Sequence, residues 1–250
     1  MNESEQNAPN ETRDEADMGD LLSTVGVGRR SVMRALGIGA GVAALGGVGE
    51  ATQEPLSEPP MVHPVWGYNA LSPEAVSGAL ELLVDHTVTL RGHVPSVRTP
   101  PQPPVDFIFD PVGIHVQPGD YVQFETAETG EDQPPVGEHT TTAYHDARQR
   151  QRRVPPKVPP FSSPMHGPGM SWIYQFEVEG VYDVFCAPHE DHFGMVMRLV
   201  VGDGDYEGYG LPPEPLGPFG FARDVFDKPE MEPSHIQASG QVTWADLFED

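Results

Sequence analysis

The single cysteine of this chain, Cys186, lies in a short segment that also contains a histidine and a methionine. His189 follows Cys186 with two residues between them, and Met195 follows His189 with five between them. Cysteine and methionine are soft ligands and imidazole suits copper; two histidines, one cysteine and a weak axial methionine form a blue-copper ligand set. The segment therefore predicts three of four copper ligands, and the fourth has to be a histidine from elsewhere in the chain.

Three other interpretations of this segment compete with copper. A lone cysteine can be a small buried hydrophobic residue, and a cysteine near a histidine can be a nucleophile with its base. A zinc site would use more cysteine, histidine or carboxylate and little thioether. The flanking residues favour copper, because they alternate as two strands on either side of a ligand loop. The residues predicted to share the ligand-bearing faces are Tyr182, Val184, Cys186, Met195, Met197, Leu199 and Val201, with Arg198 pointing the other way.

Short strands separated by turn signals recur through the middle of the chain. Alternating apolar residues predict strands at 87–90, 105–109, 114–116, 121–125, 172–178 and 181–186. Pro118-Gly119-Asp120 combines a fixed and a permissive backbone angle, as a turn requires. Several short strands at this spacing predict an all-β sandwich.

The missing histidine is offered twice, at His139 and at His145. The two side chains have the same parity in a predicted strand and therefore face the same side. They would lie about 20 Å apart in an extended chain, so they cannot bind the same metal ion. The residue pattern alone leaves both candidates open.

Four further phrases complete the pattern: Cys-Ala-Pro-His at 186–189, Gly-Met-Val-Met at 194–197, Pro-Gly-Asp-Tyr-Val-Gln-Phe at 118–124 and His-Thr-Thr-Thr-Ala-Tyr-His at 139–145. Together they resemble the cupredoxins, the family of plastocyanin, halocyanin and pseudoazurin, and most of all the plastocyanin-like copper proteins of extreme halophiles. The resemblance extends from Asp85 to Gly202. One departure is the spacing from His189 to Met195, which is five residues here and more often four in the family.

The resemblance implies an antiparallel or mixed Greek-key β-sandwich that binds one type 1 copper ion. It implies metal ligation by His139, Cys186, His189 and Met195, because the family uses the first histidine of the 139–145 phrase. The implied function is one-electron transfer between redox partner proteins, without enzymatic activity. Two alternatives are a copper-binding or sensing module and an accessory domain of a copper oxidase or reductase.

The charge of the chain excludes some partners. The formal net charge is -24, from 38 acidic and 14 basic residues. Such a surface repels nucleic acid and anionic membranes. An acidic disordered chain and a folded protein adapted to high salt both fit this charge, and the strand patterns favour the second because they supply a core. Screening at high salt makes a large net charge tolerable.

The sequence outside the resemblance is divided into three regions. Residues 1–50 contain Arg29-Arg30 before an apolar run at 35–48, which predicts a Tat-type export signal, cleaved or kept as a membrane anchor, and a protein outside the cytoplasmic membrane. Residues 51–84 form an extension with a predicted helix from Ser72 to Val84. Residues 203–250 form an irregular acidic tail rich in proline and glycine, whose apolar end is expected to dock on its own sheet.

The sequence also gives predictions for the basic loop and for other residues near the predicted site. The basic loop at 146–157 could dock an acidic partner, although pairing with neighbouring carboxylates is the favoured prediction. His192 is predicted to face solvent and Met197 to lie in the core below the site. His166 and Met165 could line the copper pocket, but a surface position is the favoured prediction.

Overall fold

Ten strands in two sheets are found in the described part of the chain. The computed structural model describes residues 61–78, 80–94, 106–128, 137–206, 209 and 217–248, so the predicted export signal lies outside the described residues. The strands are β1 (Tyr68–Ala70), β2 (His86–His93), β3 (Asp106–Asp110), β4 (Gly113–Val116), β5 (Asp120–Thr126), β6 (Thr142–Ala143), β7 (Ser171–Phe176), β8 (Gly180–Phe185), β9 (Val196–Val201) and β10 (Gln241–Val242).

The strands divide into two five-stranded sheets. The first has the order β1-β7-β5-β2-β3 and the second the order β10-β4-β9-β8-β6. β2 pairs with β5, and β4 with β9, in parallel, whereas the other pairs are antiparallel. The all-β sandwich with mixed sheets predicted from the sequence is therefore confirmed.

The core between the sheets is built from alternate residues of the strands. Tyr182, Val184 and Cys186 project into it from the end of β8, and Met197 and Leu199 from β9. This is the face that the alternation predicted, since successive side chains of a strand point to opposite sides. β8 and β9 are nevertheless buried along their whole length, so their opposite face is covered as well.

The C-terminal segment, residues 217–248, provides that cover. It contains α2 (Phe221–Phe226), α3 (Pro233–Ser239), α4 (Trp244–Leu247) and β10, which pairs with β4; α1 (Glu190–Phe193) lies earlier, in the ligand loop. The segment shares a second core with the outer faces of β8 and β9. The expected docking on its own sheet is observed, but the segment is more regular than predicted, because short amphipathic helices are hidden by its proline and glycine content.

A buried group of charges lies between the second sheet and this cover. Asp183 is fully buried, and its carboxylate accepts hydrogen bonds from Arg153 at 2.6 Å and from Arg198 at 2.8 and 3.0 Å. Arg198 also donates to the carbonyl of Met231 in the C-terminal segment. The sequence placed Arg198 on the face opposite the core, which is correct, but that face is not exposed to solvent.

Two local predictions are wrong. The helix expected from Ser72 to Val84 is replaced, in the described residues, by single 3-10 turns at Pro73–Ala75 and Glu81–Leu83, and the Ser72 side chain makes no capping hydrogen bond. The strand expected over 139–145 is reduced to β6 and a single bridge at His139, because this stretch exchanges partners between β8 and the 161–166 segment. The domain boundaries at 85 and 202 stay a prediction.

No helix among the described residues is long and apolar enough to span a membrane.

Candidate metal centre

Three side chains from two separate parts of the chain meet at one end of the sandwich. The Nδ1 atoms of His139 and His189 are 3.2 Å apart, and the Sγ atom of Cys186 lies 3.7 Å from the first and 3.4 Å from the second. In the described part of the chain this is the one group of histidine, cysteine or carboxylate side chains close enough to share an ion. His139 and Cys186 are fully buried, and His189 is partly exposed.

The size of this triangle fits a metal ion. A point equidistant from the three atoms lies about 2.0 Å from each of them, close to the lengths of metal–imidazole and metal–thiolate bonds. The donor set of two imidazoles and one thiolate suits copper or zinc, and the neighbouring thioether favours copper. The residues present therefore fit one copper ion.

Hydrogen bonds of the backbone fix each of the three residues. His139 forms a two-bond bridge with His166, in which each amide donates to the other carbonyl at 3.0 Å. Cys186 follows the last residue of β8, and its amide donates to the Met195 carbonyl at 2.9 Å. The His189 amide donates to the Cys186 carbonyl at 3.0 Å, which closes the Cys-x-x-His turn.

The buried thiol of Cys186 must lose its proton before it can bind a metal ion. Burial raises the pKa of Cys186 to about 12, so the thiol is protonated at neutral pH without a metal. The Thr140 amide donates to the sulfur at 3.4 Å, and the Thr140 hydroxyl accepts from the Ala187 amide at 2.9 Å. Burial also lowers the pKa of His189, which favours the neutral imidazole that a metal requires.

The structure distinguishes the two methionines that follow the loop. Met195 is fully buried, and its backbone carbonyl accepts the hydrogen bond from the Cys186 amide. Met197 pairs with Val184 and lies two residues farther along β9. Both methionines belong to the inner core, and Met195 is the one whose backbone is bonded to Cys186; its role as a ligand stays a prediction.

The five residues between His189 and Met195 are accommodated by one helical turn. Residues Glu190–Phe193 form α1, and the Gly194 amide donates to the Glu190 carbonyl at 3.1 Å. Gly194 has a φ of 66°, the left-handed conformation that commonly ends a helix. The helical turn absorbs the additional residue and returns the chain to Met195, whose amide donates to the His189 carbonyl at 3.1 Å.

Two phenylalanines that the sequence reasoning missed enclose the histidines. The ring of Phe107 stacks on His189 with centroids 4.2 Å apart, and meets His139 edge to face at 5.4 Å. Phe193 contacts Phe107 at 4.9 Å and His189 at 5.3 Å. Alternation placed Phe107 on a strand but carried no signal that it would reach the loop.

The other histidines near the site do not join the triangle. His145 lies five residues past Thr140, and its Nδ1 accepts from the Ala147 amide at 3.0 Å. His192 is exposed, with its ring near the Asp191 carboxylate. The surface position predicted for His166 is wrong: its side chain is fully buried, its Nδ1 lies 2.8 Å from the Thr126 hydroxyl, and burial lowers its pKa to about 4. His166 forms the isolated backbone bridge with His139, which brings it inside the protein next to the metal-centre residues.

The basic loop is paired within the protein, as favoured from the sequence. Arg150 binds Glu190, Arg152 binds Asp146, and Arg153 binds Asp183. Arg148 donates to the Pro160 carbonyl at 3.0 Å. Three of the five positive charges of the loop are therefore paired with carboxylates of the same chain.

Comparison with known proteins finds a family match over the part of the chain that carries the candidate metal centre. Residues 103–202 match the model of copper binding proteins of the plastocyanin/azurin family. Pseudoazurin from Methylobacterium extorquens AM1 is 20% identical, with a TM-score of 0.35, over 62% of this chain and 96% of pseudoazurin. A reduced Cu(I) form of an amicyanin variant is 16% identical, with a TM-score of 0.33, over 53% of this chain and 91% of amicyanin. Comparison with the curated proteins found no significant match. The family match contains all three clustered side chains and ends before the C-terminal segment.

Proposed function

We propose that the protein carries one electron at a time through a single type 1 copper ion, because residues 103–202 match the model of the plastocyanin/azurin family of copper binding proteins. The observation that carries this proposal is the triangle of His139, Cys186 and His189, whose donor atoms lie 3.2 to 3.7 Å apart around a point that fits one ion. Copper bound there supplies a centre that alternates between the Cu(I) and Cu(II) states.

The protein's own residues have distinct roles in this proposal. His139 and His189 bind through Nδ1, and Cys186 binds as a thiolate, held by the Thr140 amide. Met195 is the weak axial ligand, supported by its burial and by its backbone hydrogen bond with Cys186. Two packed sheets hold these residues in one arrangement, so little of the protein has to move when the charge of the site changes.

The partly exposed ring of His189 is proposed as the place where electrons enter and leave. His139 and Cys186 are fully buried, whereas His189 lies between two exposed or partly exposed neighbours, Pro188 and Phe193. A redox partner protein that approaches this end comes closer to the site than one that approaches any other face of the triangle.

The proposed location is outside the cytoplasmic membrane, after export by the Tat route. The support is the pair Arg29-Arg30 followed by the apolar run at 35–48. Replacement of both arginines by lysine is expected to leave the protein inside the cell, as detected by fractionation. Normal export of that variant would contradict the proposed route.

The function is tested by adding Cu(II) to the metal-free full chain and recording the visible spectrum. One equivalent of copper is expected to give an intense blue or green colour, since the thiolate–copper bond is the source of the absorption. The Cys186→Ser variant is expected to remain nearly colourless. A colourless wild-type complex, or full colour in the serine variant, would refute the proposal.

A further inference from the structure

Glu190, in the loop that carries the proposed ligands, makes hydrogen bonds and an ion pair with residues outside the loop. We propose that Glu190, with Tyr144, Arg150 and the C-terminal segment, acts as a clamp that positions the loop from Cys186 to Met195 before any metal is bound. The inference rests on the proposed function, because the loop is taken as the copper-ligand loop.

Glu190 is the centre of this clamp. It directly follows His189 and begins α1, yet its side chain is only 3% exposed. One carboxylate oxygen accepts from the Tyr144 hydroxyl at 2.7 Å, and the other accepts from two Arg150 nitrogens at 2.8 and 3.2 Å. A charge is retained at such a position only when it is paired and hydrogen-bonded, and here all three donors belong to other parts of the chain.

The two partners of Glu190 themselves contact aromatic rings, Phe185 of the second core and Phe219. The Arg150 guanidinium lies 5.4 Å from the centroid of Phe185 and 4.9 Å from that of Phe219. Tyr144 is fully buried and packs on Phe185 with centroids 4.6 Å apart. Phe219 belongs to the C-terminal segment, so the clamp spans the family-matched region and the segment that follows it.

The other end of the loop contacts the same segment directly. A Cβ atom built at Gly194 would come within 2.7 Å of the Phe221 ring, and one built at Gly220 within 2.5 Å of the Asp191 carbonyl oxygen. The absence of a side chain at Gly194 lets the Phe221 ring pack against the end of α1, and at Gly220 it lets the start of α2 approach the backbone of α1. The helical turn is thus held at its first residue through the Glu190 side chain and at its end, at Gly194, by Phe221.

The length of this loop explains why a clamp would help metal binding. A longer loop has more conformations, and it loses more entropy when a ligand geometry is imposed on it. An ion pair and a hydrogen bond behind α1 restrict the loop before copper arrives, so that Met195 returns next to Cys186. Positioning residues of this kind act through the ligands and need not touch the metal.

The clamp is tested by hydrogen exchange of the metal-free full chain, with Glu190→Gln and Tyr144→Phe. Hydrogen bonds to a buried charge stabilise by enough to change a local opening equilibrium about tenfold or more. Amides of residues 187–195 are therefore expected to exchange at least about tenfold faster in Glu190→Gln and to a smaller extent in Tyr144→Phe. Arg152→Gln is the matched control, because Arg152 lies in the same basic loop and pairs with Asp146 instead; its exchange in 187–195 is expected to equal that of the wild type.

Unchanged exchange of 187–195 in both variants would overturn the clamp. Faster exchange that is equally large in β5 and β7 would also overturn it, because it would show a general loss of stability. The copper-loaded forms give the second measurement: Glu190→Gln is expected to remain coloured and to release copper to a chelator several-fold faster than Arg152→Gln. Equal release rates would count against the clamp, whereas a wild type that takes up no copper would refute the proposed function and leave the exchange result to decide the clamp alone.

Discussion

The buried charges around Asp183 allow a quantitative prediction for the stability of the fold. Asp183→Asn keeps the size of the side chain but removes the carboxylate that accepts hydrogen bonds from both Arg153 and Arg198. The side chains of the two arginines are 4% and 2% exposed. Two guanidinium charges would then be left in a site that water hardly reaches.

The cost follows from how buried ion pairs respond when one partner is removed. Such changes destabilise proteins by about 3–5 kcal/mol, because the remaining charge loses its compensation. We expect this loss in the free energy of unfolding for Asp183→Asn. For a domain of this size, that corresponds to a midpoint of thermal unfolding lower by about 6–20 °C.

The assay is urea unfolding of the copper-free protein, followed by tryptophan fluorescence. Trp172 and Trp244 are buried, so their emission reports loss of the inner core and of the C-terminal cover. The metal-free form is used because bound metal would add its own binding free energy to the measured stability. Arg152→Gln removes a more exposed ion pair and is expected to cost no more than about 1 kcal/mol.

The destabilisation caused by Asp183→Asn is expected to depend on pH. Burial by itself would raise the pKa of Asp183, but Arg153 and Arg198 outweigh this effect and hold the pKa below its usual value. A carboxylate with a lowered pKa contributes stability above its unfolded pKa of about 3.9, and this contribution is lost as the pH falls through the folded pKa. The stability difference between wild type and Asp183→Asn is therefore constant near neutral pH and decreases in acid.

Two results would refute this reasoning. One is a loss of unfolding free energy for Asp183→Asn no larger than that for Arg152→Gln. This would mean that the buried Arg153 and Arg198 do not rely on the Asp183 carboxylate to compensate their charges. The other is a difference in unfolding free energy between wild type and variant that grows as the pH falls. Such a result would mean that folding raises the pKa of Asp183 instead of lowering it.

The ligand assignments give two further predictions. His139→Ala is expected to abolish the strong visible absorption of the copper-loaded protein, whereas His145→Ala leaves it nearly unchanged; the reverse pattern would contradict the assignment. Met195→Leu is expected to keep the colour but raise the reduction potential, because loss of the thioether destabilises Cu(II), and a large shift for Met197→Leu with none for Met195→Leu would contradict the axial assignment. Met197→Leu should cost less than about 1.5 kcal/mol in unfolding free energy, as volume-conserving core changes do.

The sequence predicted the parts of the fold that depend on short-range pattern. Alternation located the strands around Cys186, and it placed Tyr182, Val184 and Met197 on the face that the structure buries between the sheets. Spacing brought Cys186 and His189 into one turn, and the family resemblance selected His139 over His145. These features are local or are repeated from one cupredoxin to another.

The parts that were missed depend on contacts between distant segments. The C-terminal segment was expected to be irregular, since its proline and glycine content gives no periodic signal, yet it buries the outer face of β8 and β9. Phe107 reaches His189 only because the two sheets pack together at that end. Ser72 has the residue type of a helix cap, but the turn after it extends for only three residues, and Gly78, with a φ of 59°, leaves the helical conformation soon afterwards.

The central claim, one-electron transfer at a single copper ion, is tested most directly by spectroelectrochemistry of the copper-loaded full chain. The visible band is expected to fade completely on reduction and to return completely on oxidation, over repeated cycles, with one electron per copper and one copper per chain. Release of copper on reduction, a band that does not return, or the absence of a thiolate band in the wild type would contradict the account.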